Sequence, residues 1–68
     1  MLNPPWVEYP GSEPSWVGWR QGTSEAWLVK VWFPFWLALS GEERGSYLEK
    51  WPPPNDDWVF YLTVAWAP

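Results

Sequence analysis

The sequence predicts an α+β domain: a small three-stranded, mostly antiparallel sheet in β-β-α-β order, one helix packed on one face, and an extended proline-rich N-terminal arm. Three observations predict it. Residues 26 to 33 alternate, with Trp27, Val29, Val31 and Phe33 on one side and Ala26, Leu28, Lys30 and Trp32 on the other, which is the period of a strand. Ser40-Gly41-Glu42-Glu43 has the S-x-x-E form of a capping box, the start signal of a helix. Residues 58 to 66 are apolar in both registers, as in a strand that is central or covered on both sides.

Taken in order, Pro4, Pro5, Pro10 and Pro14 fix φ, remove amide donors and favour extended backbone, so residues 1–15 read as the arm, with Trp6, Val7 and Tyr9 as its anchors. Residues 16–68 then form the single small domain. Ser15 to Arg20 and Ala26 to Phe33 flank the polar stretch Gln21-Gly22-Thr23-Ser24 and read as a hairpin. In its first strand Val17 and Trp19 point inward, Trp16, Gly18 and Arg20 outward, and Gly18 marks a bulge. Pro34 ends the second strand because it cannot donate to a ladder. A helix from Gly41 to Trp51 carries Tyr47, Leu48 and Trp51 on one stripe, with the Arg44 stem beside them, and Pro52-Pro53-Pro54 stops it. A variant of this reading begins a helix at Pro34 and uses Gly41 as its C-terminal cap. The last strand, Trp58 to Trp66, either follows a parallel crossover or pairs with the first.

Composition bounds the function. The chain has 68 residues, 47% apolar, 22% aromatic and 18% charged, too apolar for a disordered segment despite nine prolines, and long enough for one domain. With no Cys and no His it lacks the disulfide, the thiol nucleophile, the imidazole base and the usual zinc ligands. A net charge of −4 argues against a phosphate backbone as partner. The apolar run from Ala26 to Leu39 holds Lys30 and Pro34 and is shorter than the ~20 residues of a spanning helix, so no membrane association is expected. The N-terminal stretch has neither the positive charge nor the apolar length of a secretory signal, and a cytoplasmic location is expected by default.

Carboxylate chemistry is also disfavoured. Asp56 and Asp57 are adjacent, so on a strand they point to opposite faces and form no dyad; beside Asn55 they read as turn formers. Glu42 and Glu43 belong to the helix start, and Ser40 is a cap rather than a nucleophile. The proline triplet has no P-x-x-P spacing and reads as a rigid link. No catalytic residue, metal site or cofactor is expected.

What remains is an aromatic surplus. With Trp19, Trp27, Phe33, Trp58, Phe60 and Trp66 on the inner sheet face, the outer face presents Trp16, Leu28, Trp32, Val59 and Tyr61 around Lys30 and Arg20, too much apolar surface to leave in water. The arm, a second copy in a homodimer, a protein partner or a stacked sugar would cover it. These five residues are the expected partner-binding set, and Phe35 and Trp36, just past the proline, are a second anchor. The expected function is that of a non-catalytic small binding protein, an accessory subunit or inhibitor of a larger protein. A carbohydrate-binding module and a purely structural homo-oligomer are the alternatives.

Overall fold

Leu28, Trp32 and Trp36 are spaced by four, and so are Trp58, Leu62 and Trp66; this spacing, not the alternation, sets the backbone. The computed structural model describes residues 1–66, which leaves only the last two residues of the expected 16–68 domain outside the description. It is helical, with no strand among the described residues, so the expected three-stranded sheet is corrected throughout. Helix α1 is the single turn Pro5–Glu8. A 3-10 turn, Val17–Arg20, follows. Helix α2 runs through 22–38 as Gly22–Trp27, a widened π turn Leu28–Trp32, and Phe33–Ala38. Helix α3 is Gly41–Lys50, and α4 runs through 56–65 as Asp56–Phe60 and a second π turn, Tyr61–Ala65.

Each expected strand fails for a physical reason. In helical phase, residues 28, 32 and 36 share a face, and all three are buried, Trp32 completely. Val29 and Val31, which alternation placed inside, stand 49% and 43% exposed, and Val17 stands 63% exposed. A buried indole removes roughly 150–250 Å² from water, about 4–6 kcal/mol, so the phase that buries Trp32 and Trp36 outweighs the β preference of two valines, which spans only about 1 kcal/mol. Residues 58 to 66 follow the same rule, with Trp58 and Leu62 buried and Phe60 and Val64 outward.

Pro34 does not end an element but lies inside one. It has no amide to give Lys30, and its ring would clash with that carbonyl in a regular α-helix. The turn before it is widened instead, and Phe33 donates to the Leu28 carbonyl five residues back. Nor does a helix begin at Pro34 with Gly41 as its cap: α2 stops at Leu39, which is extended, and Ser40 opens α3. The widening near Thr63 has a different cause. Its Oγ1 donates to the Val59 carbonyl at 2.7 Å, and Trp66 reaches back to Tyr61.

Helix α3 matches its sequence signal. Ser40 Oγ accepts from the Glu43 amide at 3.1 Å, and the Glu43 carboxylate accepts from the Ser40 amide at 2.8 Å. Tyr47 is buried, Leu48 and Trp51 are half-buried, and the helix ends at Lys50 with Trp51 as its C-terminal cap rather than its last helical residue. Arg44 donates to the Trp36 and Leu37 carbonyls, both at 3.2 Å, and its guanidinium lies 5.3 Å from the Trp36 ring centroid. One side chain thus satisfies the open end of α2 and complements its negative dipole.

The arm is corrected in part. It is not extended throughout, since α1 forms where Pro5 opens a helical turn. Trp6 packs on Trp58 with centroids 5.2 Å apart, and Tyr47 Oη donates to the Leu2 carbonyl at 2.8 Å. The radius of gyration, 11.3 Å, is close to the ~11 Å of a fully collapsed chain of this length, so the arm lies on the core and does not trail from it.

Candidate binding site

Among the described residues, the ring contacts fall into two groups. The larger joins Trp6, Trp32, Phe33, Trp36, Trp58 and Trp66 with flanking Phe and Tyr rings, including a Trp32 and Trp36 stack at 5.3 Å and 12°. The smaller joins Tyr9, Trp16, Trp19 and Trp27. Beside the smaller group lies an open groove of about 330 Å³, lined by Glu8, Tyr9, Pro10, Gly11, Ser12 and Trp16.

The groove is built from local rules. Tyr9-Pro10-Gly11-Ser12 is a turn closed by the Ser12 amide on the Tyr9 carbonyl at 3.1 Å, with Pro second and Gly11 third at φ 82°. That is the chemistry of a type II turn, in which the third residue needs a positive φ. Ser12 is buried; its hydroxyl donates to the Pro5 carbonyl at 3.4 Å, and its own carbonyl accepts from Trp58 Nε1 at 3.1 Å. The Glu13 carbonyl accepts from the Trp16 amide and from Trp19 Nε1, at 3.0 and 2.9 Å. Asn55 caps α4 through the Trp58 amide and also donates to the Glu13 carboxylate at 3.1 Å.

Trp16 is the one tryptophan of the nine that stands exposed, at 38%. Its indole is held edge-on by Trp19 at 5.0 Å and tilted against Tyr9 at 5.8 Å. The ring lies so close over Gly18 that a Cβ at that position would overlap its Cη2 and Cζ2 atoms. Gly18 is therefore not a bulge in a strand but the flat backing of the Trp16 ring.

The expected partner-binding residues are dispersed. Trp16 lines the groove, and Val59 stands 43% exposed on α4. Tyr61 is half-buried between the Phe60 and Trp66 rings. Leu28 and Trp32, expected outward beside Lys30, are core residues at 3% and 0% exposure, because the sheet face that would have displayed them does not form. Of the second anchor, Trp36 is buried and Phe35 is half-buried against Tyr47. Tyr9, Gly11 and Ser12 were not in the expected set, although the Y-P-G-S turn signal lies in the sequence.

Asp56 and Asp57 lie in the first turn of α4 behind the Asn55 cap, where the positive helix end favours them. Among the described residues no three acids gather at metal-binding distance, and no helix is long and apolar enough to cross a membrane. Burial raises the Tyr47 hydroxyl above the usual tyrosine range, against a smaller lowering from the Trp32 Nε1 bond at 3.5 Å. The chain matches no family model, no curated protein and no solved structure.

Proposed function

We propose that the chain is a non-catalytic binding protein, an accessory subunit or inhibitor of a larger protein, that engages its partner through the Trp16 groove. One observation carries this reading: eight tryptophans are wholly or partly withdrawn into the core, while Trp16 is left at the surface with its ring orientation fixed. Fixed, solvent-facing indoles are the side chains from which binding hot spots are built, since little side-chain freedom remains to be lost on binding. The location in this reading is the cytoplasm expected from the sequence.

Capture from the native lysate with wild type, Trp16→Ala and Val64→Ser tests it. A partner kept by wild type and Val64→Ser but lost by Trp16→Ala is the expected result. A partner retained equally by all three sinks the reading.

The tilted Tyr9 and Trp16 rings, 42° apart beside an open groove, favour one second reading, a sugar stacked on aromatic faces. Millimolar mono- and oligosaccharides should then move the Trp16 indole resonance, and an unmoved resonance excludes them. Solution mass addresses the structural homo-oligomer, which requires a multiple of the 8.0 kDa chain.

A further inference from the structure

We propose that the Trp16 groove takes the arginine side chain of a basic segment on a protein partner. The inference rests on the reading of the groove as a partner-binding site and names what enters it. The charge of the lining points to a cation. Glu8, an exposed acid, is among the six lining residues, no Lys or Arg lines the groove, and the hydrogen-bond partner of the Glu8 carboxylate is the neutral side-chain amide of Asn3 at 3.3 Å. That amide orients the carboxylate without neutralising it.

The aromatic wall points the same way. Tyr9 and Trp16 both line the groove, and a cation held over the face of such a ring gains about 0.5–1 kcal/mol at an exposed site. The molecule already uses this pairing twice internally: Arg44 lies 5.3 Å from the Trp36 centroid and Lys50 5.6 Å from that of Trp51. At the groove the aromatic and the acid are in place and the cation is not supplied by the lining.

Size and rigidity narrow the occupant. A volume of about 330 Å³ lies at the low end of ligand pockets and accommodates one long side chain. The backbone around it is immobilised by the Ser12 carbonyl on Trp58 and by the Ser12 amide on Tyr9, so little order remains to be imposed on binding. Arginine fits better than lysine because its planar guanidinium stacks flat on an indole, bonds a carboxylate through two donors, and is more weakly hydrated. The net charge of −4 would steer a basic segment toward the chain from a distance.

The test uses the whole chain, ¹⁵N-labelled, titrated with blocked Gly-X-Gly peptides in which X is Arg, Lys, Gln or Glu. The Trp16 indole resonance, assigned by its loss in Trp16→Phe, and the Gly11 and Ser12 amides are followed. The Arg peptide should shift all three saturably, with affinity at least five-fold above Lys and ten-fold above Gln, and weakened by 0.5 M salt. Glu8→Gln, a change at an exposed side chain, should lose at least five-fold in affinity for the Arg peptide while keeping the far-UV spectrum. Equal shifts with Arg and Gln, an unchanged affinity in Glu8→Gln, or Lys binding as well as Arg would each overturn the arginine assignment. A lysate partner that still depends on Trp16 would leave the groove reading standing in those cases. A partner indifferent to Trp16 removes the groove itself.

Discussion

Replacing Trp58 by Phe should cost the fold about 2 kcal/mol more than replacing Trp36 by Phe. Both indoles are buried, at 0% and 2% exposure, so both changes delete a comparable part of a ring and leave a comparable void. They differ at the nitrogen. Trp58 Nε1 donates to the Ser12 carbonyl at 3.1 Å, whereas Trp36 Nε1 is buried without a partner. Trp58→Phe strands a neutral carbonyl, at a cost of about 1–1.5 kcal/mol, the low end of the range for a buried unpaired group. Trp36→Phe instead deletes an indole N–H whose own unpaired burial likewise costs about 1–1.5 kcal/mol, which offsets part of its void, less about 0.5 kcal/mol for the weakened Arg44 contact. Urea denaturation followed by far-UV circular dichroism reads the difference; with a slope near 1 kcal/mol per molar for a chain this small, the two midpoints should lie about 2 M apart. Equal midpoints, or a lower one for Trp36→Phe, would refute the assignment of these two nitrogens.

Other outcomes follow from features already described. Burial raises Tyr47 above its ordinary value of 10.0, so above about pH 10 the unfolded chain releases a proton that the folded chain still holds; stability should therefore fall as pH rises from there to the folded value. Tyr47→Phe should flatten that part of the alkaline stability curve, at a neutral-pH cost of about 1–2 kcal/mol for the lost Leu2 and Trp32 bonds. An unchanged alkaline slope in the variant would contradict it. Ser40→Ala should cost about 1 kcal/mol in a thermal melt through the α3 cap, and no effect would mean that the capping box contributes nothing. Pro34→Ala should stabilise by well under the ~3 kcal/mol that proline costs inside a regular helix, because the π turn at Leu28–Trp32 already relieves the clash; a gain of the full amount would show that it does not.

Helix α3 could be read from sequence because its signal is local: Ser40 and Glu43 satisfy each other's amides whatever the rest of the chain does. Helices α2 and α4 could not be read the same way, since their apolar residues satisfy both a two-residue and a four-residue period. Val29 and Val31 fit one, Leu28, Trp32 and Trp36 the other, and only the rings waiting on other elements decide between them. Pro34 added to the ambiguity because a widened turn that tolerates proline leaves no trace in composition. Asn55 was legible as a polar turn former but not as a cap, since the strand reading of Trp58 to Trp66 left no helix for it to open. At the candidate site, Trp16 was placed at the surface by its neighbours' alternation, yet the groove beside it comes from the Y-P-G-S turn seven residues earlier, which only the fold brings to it.

Two of the bonds that hold the arm, Tyr47 to the Leu2 carbonyl and Trp58 to the Ser12 carbonyl, join residues 45 and 46 positions apart. On a ribosome adding about 5–20 residues per second, Ser12 waits roughly 2–9 s for Trp58 to be made, far longer than the microseconds that helix formation takes. Throughout that interval α1 and the turn that shapes the groove have no docking partner on α4. Completion of the Trp16 site is thus timed by the emergence of helix α4 and not by that of the residues lining the groove.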